Sequence, residues 1–199
     1  MDCKLALLFN EKKAAQVAAF FLFKASQREA NITILKLMKL MYLAERRSYQ
    51  QYGEPIIGDA LVSMPNGPVL SNTLDLINFG SQNNFDGGWD TLIAERSGRD
   101  MALKSPDLMS SEEDLRELSE SDVEILQSIW SEFGNKSAHW LREYTHRHEN
   151  CPEWEDPDGS SVPIKLETLF EALGFSEAER NVLLSQLHQR AWVASTLST

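Results

Sequence analysis

Three side chains in the segment HWLREYTHRHE have the types and the spacing to hold a metal ion. His139, Glu143 and His146 stand at i, i+4 and i+7, so a helix would bring all three to one face, with His148 or Cys151 close enough to complete a ligand set. Metal sites normally show tighter donor patterns. The same histidines near a helix C-terminus also serve as ordinary hydrogen-bonding groups that favour the helix dipole. We expect that use, with no metal and no cofactor. A nucleophilic Cys151 meets a different obstacle. Its Cys-Pro lies in an acidic loop, where neighbouring carboxylates raise a thiol pKa and suppress the thiolate. The chain contains no GxGxxG, P-loop, GxSxG or HExxH motif, and we expect no catalytic residue and no enzymatic activity.

Charge narrows the partners. The net charge is −11, and it is uneven: residues 1–60 carry nine Lys/Arg against six Asp/Glu, whereas residues 61–199 carry ten against twenty-four. The run from Glu112 to Glu124 alone has seven carboxylates and one base, Arg116. Such a chain is poorly suited to a phosphate backbone, where Lys and Arg must displace counterions, so nucleic acid is not an expected partner. Acidic surface steers instead towards basic partners, or simply keeps the chain soluble. With 199 residues, 42% hydrophobic and 25% charged, the composition is globular and sized for one domain. No apolar run reaches the roughly 20 residues that span a bilayer. The opening MDCKLALLFNEKK lacks the apolar core of a secretion signal. Cys3 and Cys151 form no disulfide framework. A cytoplasmic protein without membrane contact is expected.

The elements that must position these residues are mostly helical. Asn10 can cap a helix over EKKAAQVAAFFLFKAS. Asn31 or Thr33 can cap a second, in which Ile34, Leu37, Met38 and Met41 follow helical spacing and Leu35, Leu40, Tyr42 and Leu43 fill other faces. A helix apolar nearly all round is central, and Gly53 ends it. The segment ALVSM suits an edge strand or extended packed segment. Pro68 fits the first position of a helix running to Gly80, with Val69, Thr73, Leu76 and Ile77 buried. Residues 90–104 read as a β-hairpin turning at Ser97-Gly98. Ser119 with Asp122 makes a capping box for a helix whose buried stripe is Leu126, Ile129, Trp130 and Phe133, stopped by Gly134. A shorter helix runs from Asn135 to about His146, and residues 147–161 form a loop. Two helices finish the chain, one from Pro163 to Gly174 and one capped by Ser176 with Glu179 that buries Leu183, Leu184, Leu187 and Ala191. Met38, Met41 and Met64 suit core filling or an adaptable binding face. The expected fold is a compact, mostly α domain with one small antiparallel sheet and a C-terminal helical extension.

The region from Leu35 to Ile77, LKLMKLMYLAERRSYQQYGEPIIGDALVSMPNGPVLSNTLDLI, resembles the Panacea domain of SocA-like antitoxins and phage-associated proteins. A Lys-Leu-rich helix ends in Tyr52-Gly53, a Pro and a Gly-Asp follow, and Gly67-Pro68-Val69 comes next. LSESDVEILQSIWSEFG and SAHWLREYTH resemble the family's later helix and its Leu-x-x-x-Thr-His element, here ending in Thr145-His146. The resemblance covers about residues 15–155. Trp154 stands farther from Thr-His than the family pattern places its Trp. The resemblance implies an antitoxin that neutralises a cognate toxin by direct binding. Delivery of the toxin to an AAA+ protease, or action as a phage-derived interaction protein, are alternatives it also implies. Residues 1–158 would be the antitoxin domain and 159–199 an extension that helps choose the partner. The expected partner-binding residues are Asp59, Met64, Asn66, Gly67, Pro68, Val69, Ser71 and Trp154. Their segment is rich in Gly and Pro yet apolar, as a rigid recognition platform would be, since preordered surface loses less entropy on binding.

Overall fold

The computed structural model describes residues 8–81 and 87–197; Cys3 and most of the opening segment lie outside them. Eight α-helices and two small antiparallel sheets are found among the described residues. The fold is mostly α.

Helix α1 (Glu11–Ser26) begins where Asn10 accepts a hydrogen bond from the Lys13 amide. Its unbroken run from Ala14 to Leu22 is buried, because small alanines let neighbouring helices approach on every side. Strand β1 (Ile32–Thr33) leads directly into α2 (Ile34–Tyr52), which Thr33 caps through the Lys36 amide. Helix α2 is the axis of the molecule, packed by α1, by the later helices Glu120–Phe133, Ala138–His146 and Leu166–Ala172, and by the strand Gly67–Leu70. Gly53 ends it in the left-handed region, φ 69°, where a Cβ would also collide with the Leu183 side chain.

The next segment departs from expectation. Strands β2 (Leu61–Met64) and β3 (Gly67–Leu70) form a tight hairpin around Pro65-Asn66, with Leu61 opposite Leu70 and Met64 opposite Gly67. Pro68 is therefore a strand residue and not the start of a helix. Strand β3 is an outer strand of its three-stranded sheet, where a residue without an N–H is tolerated. Val69 moves into the strand with it. Helix α3 (Ser71–Phe79) begins three residues later and buries Thr73, Leu76 and Ile77 as expected.

Residues 89–104 hold a one-turn helix α4 (Trp89–Leu92), then bridges at Ile93–Leu103 and Ser97–Asp100. The hairpin exists without a continuous ladder, and its turn centres on Gly98-Arg99. The returning strand β4 (Asp100–Met101) pairs with β1, making a second sheet where one was expected.

Helix α5 (Glu120–Phe133) carries the Ser119/Asp122 capping box and buries Ile125, Leu126, Ile129, Trp130 and Phe133. Helix α6 (Ala138–His146) starts at the Ser137 cap, three residues later than expected. Strand β5 (Val162–Pro163) pairs with β2, so Pro163 too is a strand residue, and α7 (Leu166–Ala172) follows it. Helix α8 (Glu177–Leu197) begins where Ser176 and Glu179 exchange hydrogen bonds. It buries Leu187 and Ala191, with Leu183 and Leu184 partly covered. No helix among the described residues is long and apolar enough to cross a membrane.

Candidate functional site

The Gly- and Pro-rich stretch after α2 is held from beneath by ionisable groups that the apolar core surrounds. Glu45, fully buried on α2, accepts the amides of Ile56 and Ile57 on Oε2 (3.0 and 2.9 Å) and of Gly58 on Oε1 (2.7 Å). One carboxylate thus sets the backbone course of the loop. Burial pushes its pKa up to about 7, opposed by the three N–H donors.

Asp59, the next acid, supplies the cap that Leu70 cannot. It accepts the amides of Asn72 and Thr73, both at 2.8 Å, together with the Asn72 side-chain amide and the Thr73 hydroxyl. Its pKa is raised because burial outweighs these donors. Ser71 opens α3 and donates its amide to the Ala60 carbonyl.

Lys39 lies under the hairpin with no exposure, and its amine donates to the Pro68 carbonyl at 2.7 Å. Burial brings its pKa down to about 7. Gly67, at φ 94°, is required here twice over: an added Cβ would stand 2.8 Å from both the Lys39 amine and the Thr145 hydroxyl. Thr145 is itself buried and donates to the Arg142 carbonyl. The Leu70 amide points at the Met38 sulfur, 3.5 Å away.

The loop after α6 ties in from the other side. Buried Glu153 accepts the Tyr42 hydroxyl (2.7 Å) and the Arg46 Nε (2.8 Å). Trp154 donates its indole N–H to the Met64 carbonyl and stacks on His146, ring centroids 4.2 Å apart. The longer Thr-His to Trp spacing is therefore spanned by a loop that brings the two rings into contact. The Nε2 of His146 is buried and has no hydrogen-bond partner among the described residues. Its pKa is lowered by burial, then by Arg142 and Lys39.

His139, Glu143 and His146 share a helix but not a task. His139 lines a surface groove, Glu143 pairs with Arg142 at 2.6 Å, and His146 lies against Trp154. Among the described residues no three His, Cys, Asp or Glu side chains come together as metal ligands. Cys151 is buried, and its thiol is pushed up to about 12 by burial and by Glu153, so the thiolate is suppressed.

The hairpin also forms the wall of an open groove of about 1080 Å³. Met64, Asn66 and Val69 line it, along with Met38 from α2 and His139 and Arg142 from α6. Arg142 donates from Nε to Asn66 at 3.2 Å, joining α6 to the turn. Of the residues anticipated as partner-binding, Met64, Asn66 and Val69 face this groove. Gly67, Pro68 and Asp59 are buried in the frame behind it, Ser71 begins α3, and Trp154 fastens the loop to β2. Tyr52 is half exposed at the end of α2, beside Gly53. Sequence reasoning missed Lys39, Glu45 and Glu153. Lys39 interrupts the apolar run Leu37–Ala44 of α2 and Glu45 closes it, which was the available signal.

A family model described as antitoxin SocA-like, Panacea domain, matches residues 37–155. The chain belongs to this family. The Panacea region takes in nearly all of α2 with Lys39 and Glu45, the β2–β3 hairpin, and the loop bearing Glu153 and Trp154. It ends before β5, α7 and α8. No curated protein and no solved structure matches the chain.

Proposed function

We propose that this Panacea protein is an antitoxin that neutralises a cognate protein toxin by direct, stoichiometric binding and catalyses no reaction. Membership of the SocA-like antitoxin family carries the reading. The internal design agrees with it. The buried charges at Lys39, Glu45 and Asp59 are each committed to backbone atoms of the hairpin and its flanks, which stiffens a surface without exposing a reactive group. Preordered surface of this kind binds at a lower entropic cost. We further propose residues 1–158 as the antitoxin unit and 159–199 as an extension that tunes partner choice, with Met64, Asn66 and Val69 in contact with the toxin.

The test is co-expression with the product of the adjacent reading frame in a growth assay. Growth arrest by that product alone, relieved by this chain, is the expected outcome, together with a complex of fixed stoichiometry on size exclusion. Turnover of a substrate by the purified chain, lost on altering His139, His146 or Cys151, would overturn the proposal.

A further inference from the structure

From the groove beside the β2–β3 hairpin we infer the chemistry of the toxin segment it receives: a stretch that combines apolar side chains with carboxylates. This rests on the antitoxin reading and adds to it which face is used and what charge the partner presents.

The floor is apolar, with Met38, Met64, Val69 and Leu74 among the lining side chains. Methionine is unbranched and polarisable, so such a floor adapts to varied apolar partners. The charged lining is of one sign only. Arg99 and Arg142 contribute to it, and among the described residues no Asp or Glu does, in a chain where acids outnumber bases thirty to nineteen. Arg99 is exposed, on the hairpin turn beside β4, and its side chain makes no ion pair among the described residues. Most other arginines are spent on internal acids: Arg46 on Glu153, Arg47 on Glu132, Arg190 on Glu54. Arg142 is partly engaged, through Asn66 and Glu143.

The acidic run from Glu112 to Glu124 lines a different groove, of about 750 Å³, around Glu112, Glu113, Glu120 and Glu124. There Glu112 is already met by Lys24 and by the Gln127 amide. A groove whose charged lining is cationic favours an acidic partner segment and disfavours a basic one, because like charges brought together across an interface repel.

The experiment uses the full chain and the toxin whose arrest it relieves in co-expression, with affinity measured by calorimetry. Arg99→Glu lies at an exposed turn, and an unchanged thermal midpoint confirms that it folds. The expected result is affinity reduced about tenfold by Arg99→Glu and further by Arg99→Glu with Arg142→Glu, with Arg99→Lys largely retaining it. Added salt should weaken the wild-type complex more than the Arg99→Glu complex. Wild-type neutralisation with unaltered affinity in both glutamate variants overturns the groove assignment alone. Failure of the wild-type chain to relieve any arrest overturns the antitoxin reading and the groove's occupant with it. Binding of a random-sequence single-stranded oligonucleotide, abolished by Arg99→Glu, would replace the acidic segment with nucleic acid and overturn the inference.

Discussion

The amine of Lys39 donates to the carbonyl oxygen of Pro68 across 2.7 Å, at a point where both residues are buried. A lysine on the central helix thus holds the outer strand of the hairpin, and Gly67 is small enough to let it arrive. Gly67→Ala must displace the amine or the Thr145 hydroxyl and adopt a backbone that L-residues avoid. A loss of about 2–4 kcal/mol is expected, and urea unfolding measures it. A loss below half that would mean the pocket yields freely.

Stability should respond to pH through Lys39 and Glu45 in opposite directions. Glu45 has its pKa raised from 4.5 to about 7 in the folded state. Its contribution is complete below pH 4.5 and lost as pH rises through 7. Lys39 has its pKa lowered from 10.5 to about 7, so its contribution is complete above 10.5 and lost as pH falls through 7. The two together should produce a dip in stability near neutrality. Glu45→Gln should flatten the acidic limb and Lys39→Met the alkaline one, read from unfolding midpoints across a pH series. Below pH 4.5, where wild-type Glu45 contributes fully, Glu45→Gln should lower stability by about 1–3 kcal/mol, because an amide N–H₂ then faces backbone donors.

Asp59→Ala should release the start of α3. Four hydrogen bonds end on that carboxylate, and Leu70 offers no side-chain substitute. The expected cost is about 2–3 kcal/mol, with amide exchange accelerating first at Asn72 and Thr73. Any loss of binding to the proposed toxin should then be recovered on cooling, as befits a residue that supports the surface from behind.

Cys151 should be inert in the folded protein. In a Cys3→Ser background, which leaves one thiol in the chain, a soluble disulfide reagent should label it only on unfolding, since burial both excludes reagent and keeps the thiol protonated. Rapid labelling under native conditions would contradict the packing of the 147–155 loop.

What could be read in advance was what local chemistry decides. Asn10, Gly53 and the Ser119–Asp122 box each act within a few residues of their own position and were legible, and the choice between Asn31 and Thr33 as the cap of α2 falls to Thr33. Pro68 and Pro163 were misread as helix starts for one shared reason. Proline suits the first turn of a helix and an outer strand equally well, and the partner that decides between them is β2 in both cases. The charges of the buried frame on α2 left a signal, but their partners were illegible where the bonds close over long stretches of chain, as between Tyr42 and Glu153. The His139, Glu143 and His146 spacing was read correctly as one helix, but Trp154 and Asn66 arrive from other elements and divide those residues' neighbourhoods.

The outer rim of β3 offers a visiting chain almost nothing to pair with. Pro68 has no N–H, its carbonyl is taken by Lys39, and the Leu70 amide faces the Met38 sulfur. Strand addition, the recognition mode that reads main chain and tolerates almost any sequence, is closed off at this edge. A partner of the proposed groove would instead be recognised by its side chains lying across the face, where single replacements at the surface would redirect specificity without redrawing the backbone.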